Sequence, residues 1–127
     1  MSREVIATDA AAAAVGPYSQ GVGYDRLVFA SGQLPIDPAS GELAEGIEAQ
    51  TKAVLRNLEG VLTAGGASFA TVLKTTVFLQ NMDDFAAMNA VYATAFPTEP
   101  PARSTIEVAR LPKGALVEIE AVAARQS

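Results

Sequence analysis

A chain of 127 residues, half of them apolar and 18% charged, suits one domain spanning 1–127 around a modest core and is too apolar for disorder. It holds neither cysteine nor histidine, which removes disulfides, thiolate nucleophiles, zinc fingers, Ser-His-Asp triads and His-based metal sites together. A net charge of −5, with nine basic residues scattered along the chain, disfavours a broad nucleic-acid-binding face.

The opening "MSREVIATDAAAAAVGPY" has no apolar run long enough for a signal peptide, and no later run reaches transmembrane length. A cytoplasmic protein without membrane contact is expected. Residues 3–8 read as a short strand, and Gly16–Pro17 leaves 10–18 as loop. "GVGYDRLVFASGQ" predicts two strands, near 20–24 and 26–31, meeting at Asp25 and Arg26. "LPIDPASGEL" is a turn-rich connection.

Over 44–64, Ile47, Val54, Leu55, Leu58, Val61 and Leu62 fall on one stripe of a helix that Gly65–Gly66 stops. "TVLKTTVFLQ", 71–80, is rich in β-branched residues and apolar on both faces, as in a central strand. A second helix over 81–96 is capped by Asn81. Its apolar stripe is Phe85, Met88, Tyr92, Ala95 and Phe96. Two alternating runs around Pro112 and Gly114 then read as a closing hairpin. The order β-β-β-α-β-α-β-β gives an α+β layer, two helices on one face of a mixed sheet.

If the helices cover one face, the other carries Arg103, Thr105, Glu118 and Lys74 or Thr75 without cover from the chain. Solvent can wet such a face, or another subunit can close it, in which case its charges need partners or a ligand. Arg103 can grip a carboxylate or phosphate through two parallel hydrogen bonds; a salt bridge to Glu107 or Glu120 explains it equally well. Glu118 can activate water if a partly apolar pocket raises its pKa, or serve only solubility. "GPYSQG" and "SGQLP" are turns first, and as pieces of a site they offer the Tyr18 hydroxyl and the Gly32 backbone. Asn89 sits mid-helix, where asparagine is a poor helix former.

Four stretches in this order, "GPYSQGV", "FASGQLPIDPASGEL", "KTTVFLQNMDDFAAMNAVYATAF" and "PPARSTIEVARLPKGALVEIEAVA", resemble the Rid family over nearly the whole chain. These are the reactive-intermediate (2-enamine/2-imine) deaminases, also called YjgF, and the last stretch is the most specific. The resemblance implies a chorismate-mutase-like subunit with a mostly antiparallel six-stranded sheet. Three such subunits form a homotrimeric ring, sheets inward, with clefts between neighbours. It implies hydrolysis of small 2-imino acids, such as 2-iminobutanoate and 2-iminopropanoate, to 2-keto acids and ammonia. No cofactor or metal is needed, and pyridoxal-phosphate dehydratases supply the substrate. Arg103 then matches the carboxylate clamp and Glu118 the acid that holds the attacking water. Tyr18, Gly32 and Asn89 match pocket residues. Thr105 stands where the best-known bacterial members have cysteine, at a position whose backbone meets the ligand. Two further readings stay open: a carboxylate-binding regulatory or chaperone-like protein without important turnover, and an endoribonuclease or translation inhibitor.

Overall fold

Apolar residues at helical spacing and at period two sort the chain into two helices and six strands. The computed structural model describes residues 2–126. In chain order it contains β1 (Glu4–Ile6), β2 (Gly21–Tyr24), β3 (Leu27–Gln33), α1 (Ile47–Ala64), β4 (Val72–Leu79), α2 (Phe85–Ala95), β5 (Ala102–Glu107) and β6 (Val117–Ala124). The strands form one sheet in the order β1-β2-β3-β6-β4-β5. Every neighbouring pair is antiparallel except β4 and β5, which run parallel. This is the α+β mixed sheet the alternation predicts.

The closing hairpin is not there. β6 pairs on one side with β3 and on the other with β4, while β5 pairs with β4 alone and forms an edge. Alternation reports which residues share a face and is silent on which strand lies alongside. A hairpin and a strand that crosses to the far side of β4 therefore read identically. The turn at Pro112–Gly114, with Lys113 at φ 59°, carries the chain back between β3 and β4.

Both helices pack on one face. Val28 and Ala30 of β3, Val77 and Leu79 of β4, and Val117, Ile119, Ala121 and Ala123 of β6 meet Val54, Leu58, Val61 and Leu62 of α1 and Met88 and Tyr92 of α2. α1 begins at Ile47, three residues later than periodicity suggests. Leu43 bridges Ile36, and the Ala44 N–H donates to the Pro35 carbonyl, which holds that segment extended. Gly66, at φ +84°, supplies the left-handed stop. A 3-10 turn at Met82–Asp84 leads into α2, and Asn81 accepts the Asp83 N–H as expected of a cap. The α2 stripe differs in one respect: Val91 is buried, whereas Phe85 stays 37% exposed.

Candidate functional site

Arg103 sits on the edge strand, and parallel pairing with β4 sets Arg103 opposite Thr75 and Thr105 opposite Val77. Thr75 and Val77 face the helices, so Arg103 and Thr105 do too. Their expected place on the uncovered face is therefore corrected. The Arg103 Nη1 donates to Asn89 Oδ1 at 2.6 Å. Its guanidinium carbon lies 4.8 Å from the centre of the Tyr92 ring and 5.5 Å from that of Phe85. Thr75 is buried as well, its hydroxyl 2.7 Å from the Tyr92 hydroxyl, so Lys74 rather than Thr75 takes the free face. Burial raises the Tyr92 pKa, and the Thr75 hydrogen bond and the Arg103 charge oppose it.

No ion pair reaches Arg103 among the described residues. Glu107 instead accepts the Met82 N–H at 2.7 Å, and Glu120 lies exposed on the opposite face. The two salt bridges that could have explained the arginine are thus absent among the described residues. The open groove beside Arg103 measures about 440 Å³, room for a small molecule, and is lined by Asn89, Tyr92, Ala93, Phe96, Pro101 and Arg103. The Val108 N–H donates inward to the Leu79 carbonyl. By strand alternation the Thr105 N–H and C=O then point outward from the sheet edge. The Thr105 hydroxyl is buried without a partner among the described residues.

A second cluster forms on the uncovered face. Glu118 aligns across the sheet with Phe78 and, one strand further, with Ile106. It is half-buried, and burial, with Glu120 as a lesser cause, raises its pKa above the ordinary 4.5. A register shift between Ala30 and Gln33 lets β3 pass under this carboxylate. A Cβ on Gly32 would land on Glu118 Oε2, with Cδ only 2.9 Å away. Only glycine leaves the carboxylate in this position.

Tyr18 joins Gly32 through the loop between β1 and β2. The Ser31 hydroxyl donates to the Ser19 carbonyl at 2.6 Å, and the Ser31 N–H donates to the Gln20 carbonyl. Tyr18, Gly32 and Gln33 thereby line one small cleft, which Lys113 also borders. Buried Gln20 braces the loop: its amide donates to the carbonyls of Thr8, Ala11 and Ala12 and accepts the Thr8 N–H.

The six candidate residues thus divide into two halves. Arg103, Asn89 and Thr105 lie on the helix side at the β5 edge. Glu118, Gly32 and Tyr18 gather around β3 and β6, with Glu118 on the face the helices leave bare. Period-two reading cannot see this division, because it rests on which strand β5 joins. Phe85 and Tyr92 read as core stripe in the sequence, and their contact with the guanidinium carries no sequence signal of its own.

The comparisons agree over nearly the full length. The family model described as Endoribonuclease L-PSP matches residues 8–125. The chain is 47% identical over 127 residues to the 2-iminobutanoate/2-iminopropanoate deaminase of Salmonella typhimurium, covering 97% of this chain and 98% of that protein. It is 48% identical over 125 residues to a RutC family protein of Pyrococcus horikoshii, covering 98% and 99%. Among solved structures, E. coli TdcF with bound serine superposes with a TM-score of 0.93 at 40% identity, covering 97% of this chain and 99% of that one.

Proposed function

Because the chain belongs to the Rid family, we propose that it hydrolyses small 2-imino acids to 2-keto acids and ammonia. The observation that carries this reading is the Arg103 guanidinium. It is held by Asn89 and two rings, lacks a carboxylate partner among the described residues, and stands at an open sheet edge. A planar cation so placed suits a 2-imino acid carboxylate, gripped by two parallel hydrogen bonds. The outward Thr105 backbone would meet the same ligand.

Glu118 supplies the second requirement, an acceptor beside a water. It would align the water whose oxygen attacks C2 of the imine. Water adds across the C=N bond, its oxygen to C2 and one of its protons to nitrogen. The hydroxyl proton of this adduct then passes to nitrogen as the C–N bond breaks, so that ammonia leaves and the carbonyl forms. The net balance is one imine and one water to one keto group and one ammonia. Proximity supplies most of the help, so side chains and water suffice.

Arg103 and Glu118 lie on opposite faces of one sheet, so one copy holds two half-sites. Seating the β5 edge of one copy against the bare face of the next would join them. Repeated head to tail, such a contact closes a ring, and the proposed assembly is the homotrimer. Pyridoxal-phosphate dehydratases are the proposed source of substrate, and the single domain 1–127 is the proposed unit.

A coupled reaction with threonine dehydratase tests the reading by the rate of 2-ketobutyrate formation. Wild-type protein should accelerate it and Arg103→Ala should not, with the assembly unchanged by size-exclusion chromatography. Full acceleration by Arg103→Ala, assembly intact, sinks the carboxylate grip. Carboxylate binding without any acceleration by the wild type favours the regulatory reading, which the serine bound to TdcF keeps in view.

A further inference from the structure

An arginine side chain has several rotatable bonds and five N–H donors, so a lone guanidinium at a sheet edge can present its donors in many directions. A two-bond grip on a carboxylate requires one plane and one edge. Three side chains on α2 restrict that freedom here. Phe85, Asn89 and Tyr92 follow one another at spacings of four and three, which aligns them on one helical stripe. Asn89 takes one N–H at 2.6 Å, while the rings of Tyr92 and Phe85 stand 4.8 and 5.5 Å from the guanidinium carbon.

Tyr92 is itself immobilised. It is buried, its hydroxyl is tied to the Thr75 hydroxyl at 2.7 Å, and its ring packs against Phe96 at 4.7 Å. Phe96 in turn meets Phe69 edge-on at 5.3 Å. The guanidinium therefore rests on a rigid aromatic column rooted in β4 and α2. Phe85 is different: it is 37% exposed, although a phenylalanine gains most by burying its ring. There, at the first position of α2, its ring meets the cation.

We propose that Phe85 and Tyr92 are positioning residues that fix the plane of the Arg103 guanidinium and so set the affinity of the site for the substrate carboxylate. The inference rests on the carboxylate-binding reading of Arg103. Asn89 fixes one edge of the fork, the rings restrict its face, and the remaining donors stay free for the ligand.

The test is calorimetric titration of the assembled protein with 2-ketobutyrate. The series is wild type, Phe85→Leu, Tyr92→Phe, Arg103→Ala and the double variant Phe85→Leu/Arg103→Ala, with KM and kcat measured alongside. Leucine at 85 keeps an apolar side chain at an exposed site but removes the ring. Binding should weaken about two- to fivefold, the range of an exposed cation–π contact. KM should rise by a similar factor while kcat stays within about twofold, as for lost uniform binding. Tyr92→Phe retains the ring and should keep most of the affinity. In the Arg103→Ala background Phe85→Leu should change nothing further, because it acts only through the guanidinium. Equal weakening in both backgrounds, or wild-type binding by Phe85→Leu, overturns the positioning role while the Arg103 grip stands. Wild-type binding by Arg103→Ala removes the grip and this proposal together.

Discussion

At Glu118, burial and the charge of Glu120 push the same way. Both raise its pKa above the ordinary 4.5. In the proposed reaction only the ionised carboxylate aligns water, so turnover falls as the pH drops through this raised value. Glu120→Gln removes a like charge, lowers the Glu118 pKa, and should move the acid limb of kcat/KM to lower pH. A limb that stays put assigns the acid titration to another group. Stability carries the opposite sign. A carboxyl with a raised folded pKa favours the fold in its protonated form. Its contribution is present below the unfolded value and lost as pH rises through the folded one. Glycine at 32 and glutamate at 118 can each be singled out in the sequence. That the carboxylate lies directly over the glycine depends on a register shift in β3, which no spacing rule reports.

The elements themselves were largely legible: alternation marks the strands, and the 3.6 period marks both helices. What stayed hidden was carried by polar residues that end up inside. Gln20, Gln50 and Asn57 are buried, and each holds a loop by its amide. Gln50 links the Ala44 carbonyl to the Leu116 N–H, and Asn57 donates to the carbonyls of Leu34 and Ile36. A glutamine within "YSQG" looks like turn chemistry, because nothing local marks its partners at residues 8 to 12. Gln20→Ala removes four hydrogen bonds from one amide and strands backbone groups that had been paired. A loss of about 2–4 kcal/mol in unfolding free energy is expected, at roughly one each net of solvent. Urea denaturation at constant m-value measures it. A change under about 0.5 kcal/mol would mean that water replaces the amide without penalty. Because the same loop carries Tyr18, this variant should also weaken 2-ketobutyrate binding.

For the whole molecule, the decisive fact is that the sheet separates the two halves of the proposed site. Phe29, Leu73 and Ile106 remain 44%, 51% and 45% exposed, and Glu118 and Lys74 share the bare face with Phe29 and Ile106. Apolar area of this kind beside an incomplete site favours closure by a second copy over a solvated surface. In a head-to-tail ring each site takes Arg103 from one copy and Glu118 from its neighbour. Two inactive variants can then complement each other. Arg103→Ala and Glu118→Gln, unfolded together in equal amounts and refolded, should assemble at random. About one site in four would then pair an intact arginine with an intact glutamate, restoring about a quarter of wild-type turnover. Each variant refolded alone should stay inactive. If both residues served a site within one copy, no mixture could recover activity. If Glu118 had no part in turnover, Glu118→Gln would be active before any mixing.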